Sequence, residues 1–186
     1  MRAESRVGYT RGGRIRTVEE FETQMLPHLD DAHNLARHLM RDDHDAQDVV
    51  QEAYLRALRY FGAFRGTHAR AWLLAIVRHT AYTVRRRDRV ATLTTEFSEE
   101  LHSHGAADQG PAHDLDRREE VDRVQVALEH LPARFREVLV LREMQDLTYE
   151  EIARIVRVPV GTVMSRLSRA RARLAQALTR ATEVRE

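Results

Sequence analysis

Between residues 42 and 61, apolar side chains recur every three or four positions along almost the whole stretch. This spacing places them on one side of a helix with 3.6 residues per turn, so it predicts an amphipathic α-helix with one buried face. A similar pattern covers residues 19–40 and 69–87. Few glycines and abundant Ala, Leu, Arg and Glu also favour helix. The residues that define the pattern are Ala46, Val49, Val50, Ala53, Tyr54, Ala57, Leu58 and Phe61.

One long interruption of the helical pattern divides the chain. Residues 91–113 lose all periodicity and collect Ser, Thr, His, Gly and Asp, as is typical of a linker. The pattern resumes at about residue 115. A chain of 186 residues can form two small domains. We therefore expect an all-α fold of two small helical domains joined by a flexible linker, preceded by a disordered Arg- and Gly-rich arm over residues 1–17.

Composition excludes several classes of function. The chain has no cysteine, which removes disulfides, thiol nucleophiles and cysteine-based zinc sites. No G-x-S-x-G, P-loop or Gly-rich fingerprint points to an enzyme. None of the ten histidines combines helical i, i+4 spacing with a nearby carboxylate, so we expect no metal and no cofactor. The sequence also lacks a run of about 20 apolar residues and a secretory signal, which predicts a cytoplasmic protein without membrane insertion.

The net charge of +1 conceals a segregation of charge along the chain. Residues 88–122 carry ten acidic residues and three arginines, whereas residues 155–180 carry six arginines and no acidic residue. A second basic cluster consists of Arg85, Arg86, Arg87 and Arg89. Two basic helices on either side of an acidic linker favour a polyanionic partner.

The C-terminal part has the signals of a helix-turn-helix over residues 148–173. Thr148 and Glu151 form a capping box that predicts a helix start, and Ile152, Ile155 and Val156 supply its buried side with Ala153. Pro159 suits the first position of the next helix, where the missing N–H does no harm. A short helix, a tight turn and a second helix are the pattern of this DNA-binding motif.

The second helix of the motif has two distinct faces. Val163, Leu167, Ala170 and Leu174 form a stripe that should pack inward. Arginine forks and hydroxyl groups on another face can contact phosphates and base edges in duplex DNA. The candidate DNA-binding residues of this helix are Thr162, Ser165, Arg166, Arg169 and Arg173.

Two blocks of the sequence resemble the extracytoplasmic function (ECF) group of the sigma-70 family. They are DAQDVVQEAYLRALRYFGAFRG followed by RAWLLAIVRHTAYTVRRR, and LPARFREVLVLREMQDLTYEEIARIVRVPVGTVMSRLSRARARL. Together they cover well over half of the chain, in the family's order and with a linker between them. The second block alone is shared in outline with other helix-turn-helix regulators, whereas the pair is much more specific.

The resemblance implies an initiation factor, not an enzyme, that binds RNA polymerase core and directs promoter-specific transcription. It implies a disordered arm (1–18), a sigma region 2 helical bundle (19–90), an acidic linker (91–116) and a sigma region 4 helix-turn-helix (117–180). Region 2 would hold the clamp helices of the largest polymerase subunit and melt and read the minus-10 element. Region 4 would read the minus-35 element and meet the polymerase flap. An anti-sigma factor is a further expected partner.

The resemblance also implies roles for two sets of residues in the first block. The core-polymerase set lies on the polar face of the helix over residues 42–61 and comprises Gln47, Asp48, Gln51, Glu52, Leu55 and Arg56. The minus-10 set supplies the basic groove and planar surfaces that a melted strand needs, and comprises Phe64, Arg65, Arg70, Arg78, His79, Tyr82, Arg85 and Arg86.

Three positions depart from the family's pattern. His79 stands where Asn is usual, Met164 where Lys is frequent, and Arg157 at a turn position that usually carries Gly. An Arg adopts the positive φ of such a turn only at some energetic cost.

Two alternative functions remain open from the sequence. One is a stand-alone helix-turn-helix regulator whose N-terminal helices sense a ligand or dimerise. The other is an adaptor that binds only protein.

Overall fold

The computed structural model describes residues 6–7, 16–40, 42–94 and 115–183, with side chains described for 17–40, 42–89 and 123–180. The predicted all-α architecture is confirmed. Its strands, within the described residues, are β1 (Arg6–Val7) and β2 (Arg16–Thr17), which pair antiparallel inside the predicted disordered arm. The helices are α1 (Val18–Met25), α2 (Leu29–Met40), α3 (Asp43–Tyr60), α4 (Ala69–Thr94), α5 (Leu115–His130), α6 (Ala133–Leu139), α7 (Tyr149–Val156) and α8 (Val160–Glu183).

The first unit consists of α1 to α4, in which α2, α3 and α4 pack against one another. Helix α3 forms where the apolar periodicity predicts it. The Asp42 carboxylate caps its start by accepting hydrogen bonds from the backbone N–H groups of His44 and Asp45, at 2.8 and 3.0 Å. Ala46, Val49, Val50, Ala53 and Ala57 are buried, as the pattern predicts.

The stretch 19–40 is not one continuous helix. Helix α1 ends at Met25 and a 3₁₀ turn, Leu26–His28, separates it from α2. Pro27 explains the break, because its ring removes a backbone donor and clashes with a preceding α-helical turn. The turn also rotates the apolar stripe, so Leu29, which the periodicity placed in the core, is 45% exposed.

The second unit consists of α5 to α8. The cap of α7 and the turn between α7 and α8 have the predicted features. The capping box is present: Thr148 Oγ1 accepts from the Glu151 N–H at 3.2 Å, and the Glu151 carboxylate accepts from the Thr148 N–H at 2.9 Å. Arg157 follows α7 in the left-handed region, with φ 56° and ψ 51°. Pro159 lies immediately before the first residue of α8. A turn of π-helix, Val140–Met144, extends α6.

The two units pack against each other rather than lying apart. Helix α2 contacts α6, and α4 contacts α7. The Arg136 guanidinium donates to the backbone carbonyl of His38 at 2.9 Å, and the Gln145 amide donates to the carbonyl of Asp31 at 2.7 Å. Both donating side chains are 2% exposed. The flexible linker predicted between the units falls largely on residues 95–114, which lie outside the described residues; α4 continues to Thr94 and α5 begins at Leu115.

Replacing Thr148 with Ala should destabilise the second unit. The substitution removes the side-chain acceptor of the Glu151 N–H and leaves an unpaired donor at the start of α7. We expect a loss of about 1 kcal/mol in the free energy of unfolding, measured by urea denaturation. Thr179→Ala is the matched control, because the Thr179 hydroxyl is exposed on α8 and donates only to the carbonyl of Ala175. Equal stability of Thr148→Ala and the native chain would contradict this role of the capping box.

Replacing Arg157 with Gly should stabilise the turn between α7 and α8. Glycine adopts the left-handed conformation without the clash between Cβ and the following carbonyl, so we expect a gain of about 1 kcal/mol. The same replacement at Arg154, which is exposed within α7, should instead cost about 1 kcal/mol because it weakens a helix interior. Urea denaturation of the two variants compares the signs of these changes in the free energy of unfolding. A loss of stability in both variants would contradict the strain assigned to Arg157.

Candidate nucleic-acid interface

Helix α8 presents a basic face beside its buried stripe. Val163, Leu167 and Ala170 are at most 1% exposed, and Leu174 is half-buried, as predicted. On the other side, Ser165, Arg169 and Arg173 are exposed, while Thr162 and Arg166 are half-buried. The five candidate residues therefore lie on the surface of one helix, and three of them are exposed.

Two contacts hold this helix against α6 and against the π-helical turn that follows α6. The Arg173 guanidinium lies 5.1 Å from the centre of the Phe135 ring, a distance typical of a cation–π contact. Arg171 donates to the Glu143 carboxylate at 2.6 Å. Met164, which departs from the family's Lys, is 53% exposed on this helix. Helix α8 thus presents guanidinium and hydroxyl groups at the surface, and the contacts of Arg173 and Arg171 hold it in place.

The eight residues of the minus-10 set do not share one environment. Arg65, His79 and Arg86 are exposed. Arg70 instead holds α4 on α2, because it donates two hydrogen bonds to the Asp31 carboxylate at 2.7 and 2.8 Å. Arg85 donates to the carbonyl of Leu39 at 3.1 Å.

Phe64 lies in the core and not on the surface. Its side chain is 5% exposed, and its ring centre is 4.9 Å from that of Trp72 and 6.1 Å from that of Phe61. The sequence analysis predicted that Phe64 contributes to a planar surface on which unpaired bases stack. Its packing against Trp72 and Phe61 instead anchors the loop that carries Arg65. Trp72 is partly buried against the core.

A buried carboxylate that the sequence analysis did not identify lies on α6. Glu137 on α6 is 1% exposed, and its oxygens bind the Arg78 guanidinium and accept from the Tyr82 hydroxyl at 3.4 Å. Burial raises the pKa of Glu137, and the charges of Arg78 and Arg166 oppose this rise. Burial also raises the pKa of Tyr82, with the Glu137 charge acting in the same direction. A charged pair, Arg136 and Glu137, inside the apolar run FREVLVL was the only sequence signal.

The core-polymerase set lies along the outer face of α3. Gln47, Asp48, Gln51 and Glu52 are exposed, and Leu55 is the most exposed large apolar side chain there at 63%. The remaining member, Arg56, is half-buried and donates to the Glu52 carboxylate at 2.7 Å. Tyr60, the last residue of α3, is 58% exposed. This face is polar with an apolar residue near its middle.

Two other kinds of site are absent from the described part of the chain. Within it, no group of three or more His, Asp or Glu side chains is arranged to hold a metal ion. No helix in the same ranges is long and apolar enough to cross a membrane.

A two-unit helical protein with a helix-turn-helix and an exposed arginine face belongs to the broad class of DNA-binding transcription proteins. Comparison with protein families narrows this class. The family model for Sigma-70 region 2 matches residues 25–90, and the model for Sigma-70, region 4 matches residues 122–174.

Individual relatives agree with these matches. The chain is 38% identical over 146 residues to the RNA polymerase sigma-H factor of Pseudomonas aeruginosa, covering 75% of this chain and 76% of the relative. It is 40% identical over 134 residues to the ECF RNA polymerase sigma-E factor of Escherichia coli K12, covering 68% and 70%. The chain belongs to the ECF group of the sigma-70 family.

Solved structures support the same assignment. The sigma factor RpoE of Bartonella quintana, in complex with the anti-sigma factor NepR, matches with a TM-score of 0.72 and 28% identity, covering 87% of this chain and 98% of that one. CnrH, in complex with the cytosolic domain of CnrY, matches with a TM-score of 0.62 and 26% identity, covering 87% and 88%. The protein is therefore an RNA polymerase sigma factor that directs promoter-specific initiation, and a stand-alone helix-turn-helix regulator is not favoured.

Proposed function

We propose that the two units divide promoter recognition between them. Region 2 (19–90) binds the core enzyme and melts and reads the minus-10 element, and region 4 (117–180) reads the minus-35 element as duplex. The observation that carries this proposal is the separate match of each unit to its own sigma region. The acidic linker (91–116) and the N-terminal arm (1–18) complete the proposed organisation.

The proposed minus-35 interface is the basic face of α8. Ser165 and Arg169 are exposed and neighbour each other on the helix surface, where a guanidinium fork can reach a guanine edge or a phosphate. Thr162, Arg166 and Arg173 extend the same face. The exposed members of the minus-10 set are Arg65, in the loop before α4, and His79 and Arg86 on α4. Arg78, Tyr82 and Arg85 also lie on α4.

The proposed core-binding surface is the outer face of α3. An exposed leucine surrounded by polar side chains can enter an apolar pocket on a partner while the surrounding groups form hydrogen bonds. The partner would be the clamp helices of the largest polymerase subunit, with region 4 meeting the flap. The protein itself would perform no catalytic step, and it would act in the cytoplasm.

We also propose an anti-sigma protein as a partner. The solved relatives RpoE and CnrH are in complex with NepR and with the cytosolic domain of CnrY. Co-purification of such a protein with the native chain would support the proposal, whereas full activity of the sigma factor in every growth condition would count against it.

Replacing Arg169 with Ala should weaken promoter use. Run-off transcription with core enzyme on genomic fragments first identifies a promoter, and the variants are then compared on it. Loss of one guanidinium contact to a base or phosphate should lower the yield roughly tenfold at limiting protein. Arg180→Ala is the control, because Arg180 is exposed on the same helix outside the proposed set. Equal yields from Arg169→Ala and the native chain would remove Arg169 from the interface.

Replacing Leu55 with Ala should weaken binding to the core enzyme by roughly tenfold, since a buried interface leucine contributes on the order of 1 to 2 kcal/mol. Affinity is measured by titrating fluorescently labelled protein with core enzyme. Leu26→Ala is the matched control, because Leu26 is 49% exposed and lies outside the proposed surface. A weaker affinity in both variants, or in neither, would contradict the assignment.

A further inference from the structure

Met164 is a large apolar side chain at the surface of α8 that the proposed minus-35 interface does not use. It is 53% exposed, and among the side chains described for this helix, residues 160–180, it is the one large apolar side chain that is exposed. It is the fifth residue of α8, which begins at Val160. The N-terminal residues of a recognition helix are the ones that reach base edges in the major groove. Met164 therefore lies in the part of the helix from which bases are read.

The surface around Met164 consists of small side chains. Gly161 and Ser168 are exposed, and each lies three or four positions from Met164 and from Ser165. Residues with this spacing are neighbours on a helix surface. Met164 thus borders Ser165, a member of the proposed minus-35 set, across a glycine and a serine. Because methionine is the longest of these four side chains, it can reach farther into a groove than its neighbours.

Gly161 has no role in the described fold that explains its lack of a side chain. Its φ lies outside the left-handed region, and a Cβ added to it would meet no described atom within 4 Å beyond its own stretch of helix. Glycine weakens a helix relative to alanine, so the fold alone would favour alanine at this position. Glycine is also the residue that lets another molecule approach the backbone closely. The exposed start of α8 therefore fits close contact with DNA.

We propose that Met164 reads a thymine in the minus-35 element by packing its thioether side chain against the C5-methyl group of the base. The inference rests on the proposed function, since it takes the position of α8 in the major groove from there. The C5-methyl group is an apolar feature that marks thymine in this groove, and apolar side chains recognise it. A flexible, unbranched methionine adapts to such a surface. Ser165 and Arg169 supply hydrogen bonds, and Met164 adds a preference for thymine at one base pair.

Removal of one methyl group from the DNA tests this contact. Run-off transcription with core enzyme first identifies a promoter, and each thymine on either strand of its minus-35 element is then replaced in turn by deoxyuridine, which lacks only the C5-methyl group. Titration of each labelled duplex with holoenzyme measures the affinity. At one position we expect the affinity of the native holoenzyme to fall about fourfold, the factor for one buried methyl group. Unchanged affinity at every position would overturn the proposal.

Variants of Met164 assign this methyl contact to the side chain. Met164→Ala should lower the affinity for the thymine duplex at least about fourfold and should lose the sensitivity to deoxyuridine. Met164→Leu keeps an apolar side chain and should retain that sensitivity. Met144→Ala is the matched control, because Met144 is 44% exposed in the π-helical turn, outside α8, and this variant should bind both duplexes like the native chain.

Two outcomes for Met164→Ala would contradict base reading. The first is native affinity for the thymine duplex, which would show that the side chain contacts nothing in the complex. The second is the same loss on the thymine and deoxyuridine duplexes, each relative to the native chain, which would place the side chain away from the methyl group.

Gly161→Ala tests the close approach separately from folding. Alanine should maintain or raise the free energy of unfolding in urea, whereas the added Cβ should lower the affinity for the promoter by about tenfold. Native affinity in this variant would overturn the close approach that the Met164 contact needs. If Arg169→Ala lowers promoter use while the thymine test fails, reading by Met164 is wrong and the proposed function stands. If the native chain supports no transcription with core enzyme, the proposed function itself is wrong.

Discussion

The contact between the two units depends on the burial of one carboxylate, that of Glu137. An ionised Glu137 at 1% exposure needs donors close by, and Arg78 and Tyr82 of the other unit provide them. Contacts between α4 and α7 and between α2 and α6 bring these groups together, and the buried apolar residues of both units form one cluster. The charge pair favours the relative position of the units in which the Glu137 carboxylate has donors.

Local signals in the sequence predicted the helices and their ends. The capping box at Thr148 and Glu151 involves residues three positions apart, so the sequence contains all of the information. The most specific success came from the resemblance to the family, which predicted a turn with positive φ at Arg157, a residue unsuited to it, and φ there is 56°. The inward stripe of α8 followed from periodicity alone.

Contacts between distant residues could not be predicted in the same way. Arg70 appeared as a free cation for DNA, but its partner Asp31 lies 39 residues earlier in the chain. Phe64 appeared as a surface aromatic, but Trp72 and Phe61 enclose it. Periodicity reports which face of a helix is apolar and says nothing about which neighbour covers that face. For the same reason, the sequence does not reveal the burial of Glu137, because this burial depends on how α6 packs against α4.

Arg136 gives the contact between the units a further property. Its guanidinium donates to the carbonyl of His38, in the last turn of α2, and to that of Leu131, just after α5, at 2.9 and 3.2 Å. One side chain therefore caps a helix end in each unit, where unpaired carbonyls carry partial negative charge. When the units separate, water must hydrate the carbonyl in α2 and the freed guanidinium. Separation of the units would therefore require hydration of both groups, and its free energy would depend on the activity of water as well as on charge.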